Sequence, residues 1–447
     1  MRFPLPEPVR QTLSRLQRAG HEAYLVGGSV RDDLLGIKPH EYDITTSALP
    51  DQVKAVFEGE RLIDTGLQHG TVTLLLGGQA LEITTFRVDG SYSDARHPDK
   101  VSFSNNLIED LQRRDFTCNA MAWSEQTGLV DPFGGAEACR LKVIEAVGDP
   151  RLRFEEDALR ILRALRFASS LDFSITADTY QAMLAGSDRL ALISRERVAK
   201  ELNGLMLGKA AAQTLRTWPR ILFAVLPDLE PMLHTPQRSR WHVHDVWEHT
   251  LRVVAASPQD LAIRWAALYH DSGKPASMTR DPDGTTHFKG HPRVSVQLAQ
   301  EAMRRLRQSR KLSEEVALLV RHHDDRINHH NLQRWLAKLG LPMFTKLIRL
   351  QRADADAHAP HVSRRAPDAD ELIAMAHALV QSGAVLGLKD LALDGGQLIA
   401  LGFPQNHLIG LALHHLLDQV LDHQLPNDQA TLSQAALEWL KDKQESI

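Results

Sequence analysis

Glu41 and Asp43 stand two residues apart in the segment 41–45, EYDIT, whose aromatic and β-branched residues predict a strand. Positions i and i+2 of a strand share a face, so both carboxylates point the same way. Side by side they repel, and a divalent cation between them turns that repulsion into binding. About 14 residues upstream, Gly27-Gly28 ends a predicted buried strand over 23–26 and opens a predicted short helix over 29–35. Backbone N–H groups at such a turn, with no Cβ in the way, hold phosphate. A phosphate cradle ahead of paired carboxylates suits metal-assisted nucleotidyl transfer. Either feature alone is more often an ordinary glycine turn or a strand with exposed acids.

The elements that must position these groups mix two periodicities over the first 150 or so residues, which predicts an α+β or α/β domain. TVTLLL (71–76) and ALEITTF (80–86) predict a hairpin through Gly77-Gly78. Residues 87–105 are polar and aperiodic, which predicts a mobile loop. From Asp149 onward the pattern is helical almost to the end. Boundaries are expected at 227–240, rich in proline, and at 359–368.

With these residues in view, the segment LVGGSVRDDLLGIKPHEYDITTSALP resembles the signature of class II tRNA nucleotidyltransferases and bacterial poly(A) polymerases. The resemblance continues, in the family's order, through TGLQHGTVTLLL, LEITTFRVDGSYSDARHPDKVSFSNNLIEDLQRRDFTCNAMA, EDALRILRALRFAS and SRERVAKEL, covering roughly the first 210 residues. It implies an α+β fold: a polymerase-β-like mixed-sheet head at 1–148, an all-α neck at 149–235, an HD domain at 236–360 and a helical tail at 361–447. It also implies in-line attack of an RNA 3′-hydroxyl on the α-phosphorus of CTP or ATP, with two Mg2+ ions. Asp43 and Glu41 would be metal ligands. Gly27, Gly28 and Arg31 would hold phosphates, and Arg114, Asp115 and Asn119 the ribose and triphosphate. One departure is Glu41, where the family usually has Asp. Its extra methylene moves the carboxylate outward by ~1.5 Å, so it reaches the metal differently or through a water. Glu82 resembles the family's third carboxylate; it reads equally as an outward-facing strand glutamate.

Glu156-Asp157-Ala158-Leu159-Arg160 resembles the family's EDxxR motif. On a helix, Asp157 and Arg160 at i and i+3 would share a face. C and A each present an amino donor beside a ring-nitrogen acceptor, whereas G and U present a carbonyl and an N–H. A carboxylate with a guanidinium therefore matches C and A. The competing view is an ordinary surface ion pair. Asp94 and Arg96, in the 87–105 segment, resemble the loop that reshapes the pocket between C and A. Arg160, Arg163 and Arg166 follow one face of a predicted helix, with Arg195 and Arg197 downstream. They would hold nucleotide or tRNA phosphates, or else form a solvated face.

The 22 histidines crowd between His242 and His358. HVHDVWEHTL, ALYHDSGKP, FKGHPRVS, RHHD and LQRADADAH resemble an HD phosphohydrolase domain. His249, His270, Asp271 and Asp354 match its metal ligands, and His291 and His322 sit where two-metal relatives have extra ones. Imidazole ligands favour Mn, Fe, Co, Ni or Zn over Mg. Metal-dependent hydrolysis and a structural role both remain open for this segment. The tail resembles the tRNA-binding end of CCA-adding enzymes, with Gln405-Asn406-His407 replacing a glycine-rich turn.

Composition is that of a soluble chain, with 43% hydrophobic and 24% charged residues among 447 and a net charge of −4. An RNA partner would need local basic surface. No long apolar run or export leader is found, and Cys118 and Cys139 are the only cysteines, so a cytoplasmic protein with no membrane span is expected. The leading expectation is addition of CCA to tRNA. A poly(A) polymerase or a partial CC- or A-adding enzyme is the near alternative, and an HD phosphohydrolase with a nucleotide-binding head the distant one. Because Glu41 differs from the usual Asp by one methylene, Glu41→Asp is expected to retain nucleotide addition and Glu41→Ala to lose it. Incorporation of labelled CMP checks both, and an inactive Glu41→Asp would show that the longer side chain is required.

Overall fold

The computed structural model describes residues 5–39, 41–67, 70–89, 101–239, 241–363 and 367–445. The chain divides into two compact units, Met1–Pro227 and Asp228–Ile447. The first contains the mixed sheet, and the second is helical apart from one two-stranded hairpin.

The strands before residue 131 are β1 (Ala23–Val26), β2 (Asp43–Thr46), β3 (Arg61–Gly66), β4 (Thr71–Leu76), β5 (Gln79–Thr85), β6 (Arg87–Asp89), β7 (Val101–Phe103), β8 (Ala122–Ser124) and β9 (Gly128–Val130). Seven form one sheet in the order β3-β4-β5-β2-β1-β8-β9. β2 and β5 run parallel, and the other neighbours are antiparallel. β1 is buried along its whole length, as its unbroken apolar run requires of a central strand. The expected hairpin is β4–β5, turning at Gly77 and Gly78, both with positive φ.

Two expectations are corrected. β2 begins at Asp43, so Glu41 and Tyr42 precede the ladder. The neighbouring strand β1 ends at Val26, the register partner of Asp43, and the chain then turns away at Gly27. Residues 87–105 are not wholly loop, because β6 and β7 pair as an antiparallel ribbon. Asp94 and Arg96 lie outside the described residues.

Helices complete the first unit. A short parallel pair, Val143–Ile144 with Ser174–Ile175, joins the chain after the sheet to the helical segment. Phe116 meets Phe167 of helix Leu159–Leu171 edge-on at 5.9 Å. In the second unit, helices Val246–Ala256, Leu261–Tyr269, His291–Arg305, Arg310–His322 and Leu341–Ala357 carry the histidine-rich segments. Further on, Leu393, Leu398, Leu416 and Leu432 form part of a separate small core. No described helix is long and apolar enough to cross a membrane.

Gly135 opens a helix that packs against the turn Thr117–Asn119. A Cβ there would stand 2.2 Å from the Thr117 carbonyl oxygen and 2.7 Å from Met121 Cγ. A backbone oxygen cannot step aside as a side-chain tip can. Gly135→Ala is therefore expected to destabilise the first unit by about 2 kcal/mol or more. Urea unfolding measures it, and a loss under about 0.5 kcal/mol, the usual range for a surface change, would show that the turn can shift.

Candidate active sites

In the sheet, the parallel register pairs Asp43 with Glu82 on adjacent strands, which sets both side chains on one face. Asp43 and Glu82 reach solvent, as does Glu41 just before β2. The protein around the recess still depletes water enough to raise the Asp43 carboxyl. Burial is the main cause, and repulsion from Glu82 and Glu41 adds to it against the pull of Arg114. An all-oxygen donor set with mutual repulsion fits Mg2+.

The same register brings phosphate-binding geometry alongside. Val26 partners Asp43, so the turn at Gly27 starts beside the carboxylates. Gly27 has φ +74°, which favours glycine, and a Cβ there would press on the tip of Arg114 at 3.2 Å from Nη1. Arg31 is buried and donates to Asp32 and, at 2.6 Å, to Asn119 Oδ1. Asn119 Nδ2 donates to Asp115 Oδ1 at 3.1 Å. Arg114 and Asp115, adjacent in sequence, do not pair with each other. Asp115 instead accepts from Arg163 Nε at 2.8 Å, and Arg114 pairs with the buried Asp110 at 3.3 Å. Adjacent residues in this bend point to different partners. Burial opposes the charge on Asp115, but Arg163 and Asn119 outweigh it and hold the carboxyl at about 2.

Asp157 and Arg160 do not share a helical face. Helix Pro150–Glu156 ends at Asp157, which is extended (φ −143°, ψ 102°), and a new helix starts at Leu159. Asp157 Oδ1 accepts from Leu159 N at 3.0 Å, as an Asp at a helix start commonly does. Its Oδ2 accepts from Arg197 at 2.8 Å. Arg160 is held by Glu156 and by the Arg113 carbonyl at 2.9 Å. Each group is thus oriented by its own partner. Arg163 and Arg166 are not a solvated row either. They pair with Asp115 and Glu201, and with Arg31 they surround Phe167, guanidinium carbons 4.2–5.3 Å from its centroid.

The second unit gathers the predicted metal ligands. His249 Nε2 lies 2.9 Å from Asp354 Oδ1, 3.4 Å from His270 Nε2 and 3.5 Å from Asp271 Oδ2. His270 Nε2 lies 3.2 Å from Asp271 Oδ2 and 3.5 Å from Asp354 Oδ1. Donors bound to one metal at about 2.1 Å stand roughly 3.0 Å apart in an octahedron and roughly 3.4 Å in a tetrahedron, so the set fits one ion. The other oxygen, Asp271 Oδ1, faces a second group, with His291 Nε2 at 3.1 Å and His323 Nε2 at 3.7 Å. His270, His291 and His323 each have Nδ1 within 2.8–2.9 Å of the carbonyl three residues earlier. That bond holds a proton on Nδ1 and turns Nε2 inward as the nitrogen available to a metal. Burial would lower His270, but Asp271 and Asp354 push it up to about 10; the same field attracts a metal cation. Burial and Lys274 push His242, on the rim, down to about 3.

Three family models match the chain: the poly A polymerase head domain at residues 23–145, the probable RNA and SrmB-binding site of polymerase A at 172–231, and the HD domain at 246–359. The CCA-adding enzyme of Limosilactobacillus fermentum is 36% identical over 439 residues, 97% of each chain. The chain belongs to the CCA-adding enzyme family. Another member, from Geobacillus thermodenitrificans, is 50% identical over 211 residues, which span 46% of this chain and 52% of that relative. Among solved structures, the Bacillus stearothermophilus CCA-adding enzyme in complex with CTP superposes with a TM-score of 0.75 at 28% identity, each chain covered completely. A nucleotidyltransferase head and an HD domain both imply divalent metal use, and in the second unit His249, His270 and Asp271, and Asp271, His291 and His323, form groups close enough to hold an ion.

Within this family frame, sequence reasoning missed several positions. Asp110, which holds Arg114, was not singled out, and the sequence named Glu156 and Arg197 without their roles as the partners of Arg160 and Asp157; only their place inside the matched motifs pointed to them. The expectation for His322 is corrected. His322 Nδ1 pairs with Asp325 at 2.6 Å and its ring packs on Trp335, while His323 faces the cluster. His323→Ala is accordingly expected to lower the Mn2+ or Ni2+ bound per chain, and His322→Ala to leave it unchanged. Elemental analysis of metal-loaded protein decides, and the reverse order would restore His322.

Proposed function

We propose that this protein adds CMP and AMP to the 3′ end of tRNA without a nucleic-acid template, completing CCA. The observation that carries it is the Asp43–Glu82 register beside the Gly27-Gly28 turn, on one chain with separately oriented Asp157 and Arg160. The titles of solved relatives support the ligands: one is complexed with tRNA, one with ATP and others with CTP. In the reaction the RNA 3′-oxygen bonds to the α-phosphorus, the bond to the β-phosphate oxygen breaks, and pyrophosphate and a proton are released. Mg2+ held by Asp43, Glu41 and Glu82 would supply charge neutralisation and hydroxyl activation. Gly27, Gly28 and Arg31 would hold the triphosphate, and Arg114, Asp115 and Asn119 the ribose side. Arg163 and Arg166 would keep this pocket in shape. We assign 1–148 as head, 149–235 as neck, 236–360 as HD domain and 361–447 as tRNA-binding tail. A reducing cytoplasm suits the two buried, unpaired cysteines.

A second activity is favoured by the donor cluster around Asp271. We assign to it metal-dependent hydrolysis of phosphate esters, with Mn, Fe, Co, Ni or Zn held by His249, His270, Asp271 and Asp354.

The deciding experiment incubates the protein with tRNA ending at the discriminator base and labelled CTP and ATP. Growth by C, C and A, then arrest, is expected. A long A tail, or addition limited to CC or A, would replace the proposal with its near alternatives. Asp43→Ala should lower addition at least about a hundredfold. Asp157→Ala and Arg160→Ala should each relax rejection of UTP and GTP by about tenfold or more; unchanged base selection would move the selector elsewhere.

A further inference from the structure

A cleft of about 660 Å³ opens beside the metal-ligand cluster of the second unit, with His323 in its wall. Its apolar lining comes from Trp241 and from the buried Ile327, Ile348 and Leu372. The rest of the lining is largely polar, with Asp324, Asp325, Arg326, Asn328, Gln351 and Arg352. An apolar wall facing charged and amide groups, with the ligand cluster at one end, suits a polar, ring-bearing small molecule.

Trp241 is unusual among these residues. It is a large aromatic, 41% exposed, although burial would remove more apolar surface than for any other side chain here. Its position is nevertheless fixed. The Trp241 carbonyl accepts from Ala359 N at 2.9 Å, just beyond the helix that carries Asp354, and the Trp241 N–H donates to Ser239 Oγ at 3.3 Å. His361 lies 5.9 Å away with its ring tilted by 31°. Trp241 also lines a neighbouring cleft of about 440 Å³ that reaches His242. The wall opposite is braced too. Gln351 Nε2 donates to the His322 and Asp325 carbonyls at 3.0 and 2.7 Å, fixing the segment that delivers His323. An indole on an anchored backbone, in the same cleft as His323, provides a flat apolar surface beside the ligand cluster.

We infer that this cleft is a nucleobase subsite, in which Trp241 stacks on the base of a ribonucleotide whose phosphate ester lies at the His249–Asp271 cluster. The inference rests on the hydrolase activity assigned above and names its substrate class. Stacking on an aromatic side chain tolerates any base, so recognition is of a nucleotide as such. Arg326 supplies a cation for a further phosphate where the ligand is an RNA end. In the reaction, water oxygen bonds to phosphorus, the ester P–O bond breaks, and the ribose hydroxyl takes up the proton.

The test compares protein loaded with Mn2+ or Ni2+ on three substrates: a nucleoside 2′-phosphate, an oligoribonucleotide with the same phosphate at its 3′ end, and glycerol 2-phosphate, which has the same kind of ester and no base. Trp241→Ala is expected to lower the ratio of kcat/KM for nucleotide over glycerol phosphate by about tenfold or more, chiefly through KM. Trp241→Phe should recover most of it, and elemental analysis should find both variants still metal-loaded. Turnover of the free nucleotide identifies free nucleotides as sufficient ligands, and turnover of the oligonucleotide alone identifies RNA ends. An unchanged ratio in Trp241→Ala, with wild-type hydrolysis intact, overturns the subsite and leaves the hydrolase reading standing. Hydrolysis of none of the three by wild type overturns that reading and the subsite with it.

Discussion

The buried charge of Asp115 is the constraint on which the nucleotide-binding half depends. A carboxylate taken out of water must be paired, and removing its partner typically costs about 3–5 kcal/mol. Asp115 meets that demand with Arg163 from the helical segment and Asn119 from its own turn. Asn119 in turn accepts from Arg31, which also holds Asp32. One chain of charge-assisted bonds thereby ties the helix after Gly27-Gly28, the turn Thr117–Asn119 and helix Leu159–Leu171 together. These three segments are fixed relative to each other because none of the partners can relax alone.

Around that frame, charge is sorted by position. Carboxylates that keep a cation partner within the protein, Asp110 and Asp115, are held below the usual range. Asp43 is raised chiefly by burial, with Glu82 across the parallel strand pair and Glu41 just upstream adding repulsion. The unsatisfied acids thus collect at the recess, where a bound cation gains most, and the satisfied ones form the scaffold behind it. The arginines follow the same logic: Arg163, Arg166 and Arg31 share the face and edge of Phe167 while each is neutralised by its own acid.

The second unit solves a similar problem with imidazole. Helix ends deliver His270, His291 and His323, and a carbonyl three residues back in each case takes the Nδ1 proton. Backbone geometry therefore sets which nitrogen faces inward, and those Nε2 atoms meet the two oxygens of Asp271 from opposite groups. Local helix termination, rather than any long-range contact, makes each of these nitrogens a ligand.

The sequence by itself determined what is local. Apolar runs placed β1 and β4 at their observed limits, Gly77-Gly78 marked the hairpin, and ordered motifs identified the family and the residues to gather around Asp43 and Asp271. Tertiary structure decided whatever depends on rotation or register. His322 and His323 differ by one position, or about 100° around a helix, so only the helix's packing shows which faces the cluster. Asp115 and its neighbour Arg114 likewise choose different partners across a bend. Asp157 left the helix predicted for it because its side chain accepts from Leu159 N at the start of the next one and pairs with Arg197, forty residues on. Glu82 met Asp43 through a parallel pairing, and the register of two strands separated by a hairpin is fixed by the whole sheet rather than by either strand's residues.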